Sequence, residues 1–175
     1  DTESLINHAL SVEGVMRYRA RQLGEDEHLW GIVGLVHDLD YEKYPEQHCK
    51  MTEKILRENG WPENYIYSDR SHGWGICTDA EPLSIMEKTL FTIDELTGLI
   101  AATALMRPSK SLLDMKVKSI KKKWKTKSFA AGVDRELTLK GTGMMGMELD
   151  EVMDKTLEGM KTVAEEIGLK GNPHL

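Results

Sequence analysis

Four of the six histidines and two of the aspartates stand where metal chemistry explains them better than packing does. His8 precedes Val12 and Val15 by four and seven residues, so on a helix the three share the inward side. His37 and Asp38 close the apolar run Ile32-Val33-Gly34-Leu35-Val36, where burying an unpaired imidazole and carboxylate would cost several kcal/mol. His48 is spaced to share a face with Met51 and Ile55, and His72 ends a segment just before Gly73. Asp94 follows Ile93 on the side marked by Leu90 and Ala101. Imidazole and carboxylate together suit borderline or hard divalent cations, which here means Mn, Fe, Zn, Ni, Co or Mg. Taken singly, an inward histidine is adequately explained as a hydrogen-bonded core residue, and a lone His-Asp dipeptide arises often by chance. The metal reading rests on the coincidence that consecutive helices each supply a donor, in the order His, His-Asp, His, His, Asp.

The elements that must position these donors are helical, because the apolar residues recur at helical spacing. Residues Leu5 to Leu23 form a first helix stopped by Gly24, and His28 to Asp38 a second. Pro45 can open a third that ends at Asn59-Gly60, and Pro62 a fourth that ends near His72-Gly73. After a loop from Gly73 to Pro82, a long helix runs from about Leu83 to Met106 and is terminated by Pro108. Leu112 to Lys123 and Phe129 to Leu139 read as shorter helices, and Glu148 to Ile167 as an amphipathic one stopped by Gly168. The expected fold class is therefore all-α, with no internal repeat.

Composition agrees with a folded globule. The 175 residues can bury roughly 70% of their unfolded surface, with 40% hydrophobic and 30% charged residues. A net charge of −6 excludes bulk attraction to nucleic-acid duplexes or anionic membranes. No apolar run reaches the length of a membrane span and no signal peptide opens the chain, so the expectation is a cytoplasmic protein. The chain starts at Asp1 without an initiator Met, so natural residues are expected to precede it. Cys49 and Cys77 lie far apart with no CxxC, which argues against a disulfide framework or a zinc ribbon. Charge is uneven: Arg107 to Lys127 holds nine cations and the single acid Asp114, a local +8 that leaves −14 for the remainder. This is where a phosphate would be attracted, although a solvated lysine-rich helix face is the better account of Lys116 to Lys123.

The donor order resembles the HD superfamily of metal-dependent phosphohydrolases, whose signature is H…HD…D on a helical bundle. Here it reads His8, His37-Asp38 and Asp94, and the additional His48 and His72 match the six-ligand subset that holds two metals. The stretches HALSVEGVMR, GIVGLVHDLDYEKYPEQHCKM, SHGW, EKTLFTIDELTGLIAATALMRPSKSL and KSIKKKWKTKSFAAGVDRE are similar to one prokaryotic branch of HD-domain proteins. The GYP-type signature of cyclic dinucleotide phosphodiesterases is absent. The resemblance implies an HD-domain helical core over residues 1–110, with 111–175 a C-terminal helical extension packed on it as one structural unit. It implies one or two divalent ions, with Asp38 bridging them, His8 and Asp94 completing one site, and His48 with His72 the other. The activity implied is hydrolysis of a small phosphate ester, such as a nucleotide, by a metal-activated water.

Around that ligand set, Asp38, Asp40 and Glu95 are the catalytic candidates, with Glu42 as a further general acid; taken singly, an ordinary solvated carboxylate is the better account of each of the last three. Arg70, Lys110, Lys125 and Lys127 are candidate phosphate-binding cations, the Arg107-Pro-Ser-Lys110 segment being placed to reach over the metal mouth. Trp74 could wall the pocket and stack on a nucleobase, and a thiolate ligand from Cys49 or Cys77 is left open. Two other functions use the same residues: a mixed-valent di-iron oxygenase, and a non-catalytic nucleotide-binding module. The expected partner is a small phosphorylated substrate, and a homo-oligomer is compatible with the chain.

Overall fold

Helix α1 (Thr2–Leu23) buries Val12, Val15, Met16 and Ala20 along one stripe, as its helical spacing requires. The computed structural model describes residues 2–174. Asp26 starts α2 (Glu27–Val36) by accepting the Leu29 amide at 3.0 Å. Ser84 and Glu87 cap each other's amides at 3.1 and 2.8 Å and start α5 (Ile85–Leu105), the central helix. It buries Leu90, Ile93, Leu96, Leu99 and Ile100. Between them lie α3 (Lys50–Glu58) and α4 (Glu63–Ser71); after α5 come α6 (Val117–Trp124), α7 (Arg135–Met145) and α8 (Leu149–Lys161). Among the described residues there are eight α-helices and no strand, so the all-α class holds.

One hydrophobic cluster runs from Val12 on α1 through α5 to Leu112, Ile120, Val152, Leu157 and Leu169. Helix α8 lies directly on α1. A Cβ added at Gly159 would sit 2.7 Å from the Val15 Cα, so only glycine allows that approach. Because α1 and α5 are both clamped into this cluster, His8 and Asp94 project from rigid supports. No helix among the described residues is long and apolar enough to cross a membrane.

The third helix departs from its expected course. Residues Pro45–Gln47 form a single 3-10 turn, His48 is extended, and Cys49 takes a positive φ of 69° before α3 begins at Lys50. His48 therefore does not share a helical face with Met51 and Ile55. Helix α7 begins later than expected, at Arg135, because Asp134 supplies the cap; residues 129–133 are turns. Helix α8 ends at Lys161, with turns continuing to residue 168.

Candidate metal centre

The six sequence-predicted donors converge. His8 and Asp94 come from within α1 and α5, whereas His37 and His72 cap the C-termini of α2 and α4, with Asp38 one residue on. One group comprises His8, His37, Asp38 and Asp94, and the other Asp38, His48 and His72. In the first, Asp94 Oδ1 lies 2.9 Å from His8 Nε2 and 3.3 Å from His37 Nε2. Asp38 Oδ2 is 3.4 Å from each of the same two nitrogens. In the second, Asp38 turns its other oxygen, Oδ1, to His48 Nε2 at 3.4 Å and His72 Nε2 at 3.7 Å. A tetrahedral ion with bonds of about 2.1 Å holds its ligands about 3.4 Å apart. The donor spacing fits.

The opposite ring nitrogens fix which atom of each imidazole faces inward. His37 Nδ1 donates to the Gly34 carbonyl at 2.7 Å, and His72 Nδ1 donates to the Asp69 carbonyl. His48 Nδ1 donates to Asp40 Oδ1 at 2.7 Å. Thr97 spends its hydroxyl proton on the Asp94 carbonyl at 2.7 Å, leaving a lone pair for His8 Nδ1 at 3.4 Å. With Nδ1 carrying the proton, a neutral imidazole has only a lone pair at Nε2. His48 Nε2 and His72 Nε2 nevertheless face one another at 3.3 Å, with a carboxylate oxygen alongside. Facing lone pairs repel unless a cation or proton lies among them. This is the outer support that metal-bound histidines require.

Electrostatics tell the same story. Burial acts to lower the pKa of His37, but the charges of Asp38 and Asp94 and their contacts override it and raise it well above its ordinary value. Burial would raise Asp38, yet His37 brings it down to about 2, and Asp94 is held well below the carboxylate range by His37 and His8. His72 is lowered by burial and then by the charge of His37. An imidazolium here balances two carboxylates, the role a divalent cation would take.

The other predicted residues fall in different places. Asp40 is fully buried, and its second oxygen accepts the Thr52 amide at 2.9 Å, so it is a positioning residue for His48. Replacing Asp40 by alanine should weaken metal binding about 10- to 100-fold, which competition titration against a chromogenic chelator will measure. Glu95 lines the cavity over the donors; burial and then Asp94 raise its pKa, against the opposing bond at 2.9 Å from the Asp134 amide. Glu42 accepts from the Thr2 hydroxyl. Arg70 pairs with Glu53 at 3.2 Å and Asp79 at 3.4 Å, lining a separate cleft. Lys110 and Lys125 are exposed and line neither cavity that reaches the donors. The segment after α5 turns away from them: Arg107 binds Asp114, and the Ser109 carbonyl accepts the Asn172 amide at 2.8 Å. The Trp74 face is covered by Lys140 Nζ, 3.5 Å from the ring centroid.

Cys49 and Cys77 are disulfide-bonded across 28 residues, which their spacing gave no reason to expect. The turn before α3 and the loop after α4 bring their Cα atoms to 6.3 Å. Both sulfurs are thereby committed, and neither is a thiolate ligand. Gly73 makes room: a Cβ there would lie 2.3 Å from Cys77 Sγ.

Three contributors escaped the sequence reading. Thr97, one turn beyond Asp94, could have been found from that spacing. Tyr41 packs edge-on against His48 with centroids 5.1 Å apart, a tertiary contact without sequence signal. Asp69 is buried with neither carboxyl oxygen hydrogen-bonded, and burial foremost raises its pKa well above the ordinary value, with Asp40, Asp38 and Glu53 adding to it. Such an acid binds its proton more tightly folded than unfolded, so it costs stability as pH rises from the unfolded value toward the folded one. Asp69→Asn should therefore raise the Tm of the chelator-treated protein by about 3 °C near pH 8, with a smaller gain near pH 5. Thermal melts at the two pH values check this, and an equal gain at both would refute it.

Comparison of the chain with family models, curated proteins and solved structures finds no match. Fold and site together define an all-helical protein whose His/Asp cluster could bind metal.

Proposed function

We propose that the protein is a metal-dependent phosphohydrolase of the HD type, cleaving a small phosphate ester with a metal-activated water. The observation that carries this reading is Asp38, whose two oxygens are divided between two ligand groups in the manner of a bridging carboxylate. When bound, a pair of divalent ions supplies Lewis acidity and a water acidified toward neutrality. The chain's own residues supply the rest. His8, His37, His48 and His72 would offer their Nε2 atoms to the ions, because their Nδ1 atoms are directed to Thr97, Gly34, Asp40 and Asp69. Glu95 lines the cavity over the donors, with burial and then Asp94 raising its pKa, and is placed to serve as the acid for the leaving oxygen.

The test is reconstitution. Chelator-stripped protein loaded with Mn, Co or Ni is expected to hydrolyse a member of a panel of phosphomonoesters and phosphodiesters. Failure on every ester at full metal occupancy would overturn the proposal. The di-iron oxygenase reading has one observation in its favour: among the described residues, no lysine or arginine lines the two cavities at the donors. Bound iron with oxygen uptake on a neutral substrate would select it. Nucleotide binding without turnover would instead select the non-catalytic module.

A further inference from the structure

Two cavities meet at the donor cluster and share His8, Asp38, Tyr41 and Gly98 in their walls. The smaller, about 310 Å³, lies over the ligand atoms. The larger, about 690 Å³, extends away from them between α1, α5 and residues 167–169, and is within the size range of small-molecule sites. Its apolar walls are Leu5, Ala101, Ala102, Leu105, Ile167 and Leu169, with Ser4, Asn7, Ser11 and Thr97 as neutral polar groups. Its charged or titratable side chains are Glu3, His8, Asp38 and Tyr41; among the described residues no lysine or arginine lines either cavity.

We propose that the larger cavity receives the uncharged organic group of a phosphate monoester whose single phosphoryl group meets the His/Asp cluster. This rests on the phosphohydrolase reading and names its substrate class. Charge counting sets the limit of one phosphoryl group. Two divalent ions on the two carboxylates Asp38 and Asp94 would leave at most two positive charges, before any bound hydroxide is counted, and one phosphomonoester dianion would neutralise them. A second phosphate would enter a space whose walls, among the described residues, offer no lysine or arginine to receive it, a costly desolvation. The nine cations of Arg107 to Lys127, which would suit a polyphosphate, contribute no wall residue. The apolar lining rewards a bulky neutral group of nucleoside size, oriented by Asn7 and Ser11.

Calorimetric titration of the manganese-loaded full chain with hydrolysis-inert phosphonates tests this. Naphthylmethylphosphonate should bind at least about tenfold more tightly than methylphosphonate. The same ligand carrying a sulfonate on its outer ring should lose at least that advantage. Ala102→Phe, which fills the cavity, should bring the naphthylmethyl-to-methyl affinity ratio toward one. Equal affinities for the bulky and the small phosphonate, or undiminished binding of the sulfonated ligand, overturn the inference and leave the hydrolase reading intact. The wild-type comparison decides the matter even where Ala102→Phe does not fold. Absence of binding by every phosphonate, with metal at full stoichiometry, removes both the inference and the reading beneath it.

Discussion

Replacing Asp38 by alanine should cost the protein both halves of its candidate metal centre at once. Asp38 Oδ2 faces His8 and His37 while Oδ1 faces His48 and His72, so among the described residues Asp38 alone serves both donor groups. Elemental analysis after dialysis should give two ions per chain for the native protein and fewer than one for Asp38→Ala. Loss of several kcal/mol of charge stabilisation corresponds to an activity drop on the order of a thousandfold. His48→Ala is the informative contrast, because it depletes only the second group and should retain one ion. Circular dichroism in chelator distinguishes lost ligands from lost structure. Retention of one tightly held ion by Asp38→Ala would remove the bridging role.

Metal loading should stabilise the fold as strongly as any core contact. A ligand that binds only the native state at a hundredfold excess over its Kd contributes about 2.7 kcal/mol per site. For a chain of this length that is a rise in Tm of about 5–10 °C per ion, read by scanning calorimetry with and without chelator. The pH dependence has a definite sign. His37, raised by Asp38 and Asp94, stabilises the metal-free protein fully below its unfolded pKa of 6.5, and this is lost as pH rises through the folded value. Asp38 and Asp94, lowered by the same contacts, contribute above 3.8, and that is lost as pH falls through their folded values. These are one interaction seen from both partners. A cation must displace the His37 proton, so the metal-dependent gain in Tm should grow from acid to alkaline pH. A gain independent of pH, or none, would contradict the assignment of these donors.

The amino-acid sequence alone determined the helical class and pointed to the imidazoles and carboxylates that the fold gathers into one cluster. A 3.6-residue period marks the inward side of a helix from local information, and it placed His8 beside Val12 and Asp94 on the side of Leu90. An imidazole and a carboxylate directly behind Ile32-Val33-Gly34-Leu35-Val36 were legible because unpaired burial is so costly. Only the tertiary structure decided the rest. His48 left its expected helix, since its Nδ1 bond to buried Asp40 and the Cys49–Cys77 disulfide hold it outside α3. Arg70, Lys110 and Lys125 had the right charge and the wrong neighbours, because which way a surface cation points depends on partners distant in the chain, such as Glu53 and Asp79 for Arg70. The support given by Thr97 and the cavity between α1, α5 and residues 167–169 likewise arise where separate helices meet. Helical periodicity is a property of one segment and can be read along the chain, whereas the partner of a side chain is set by packing between segments.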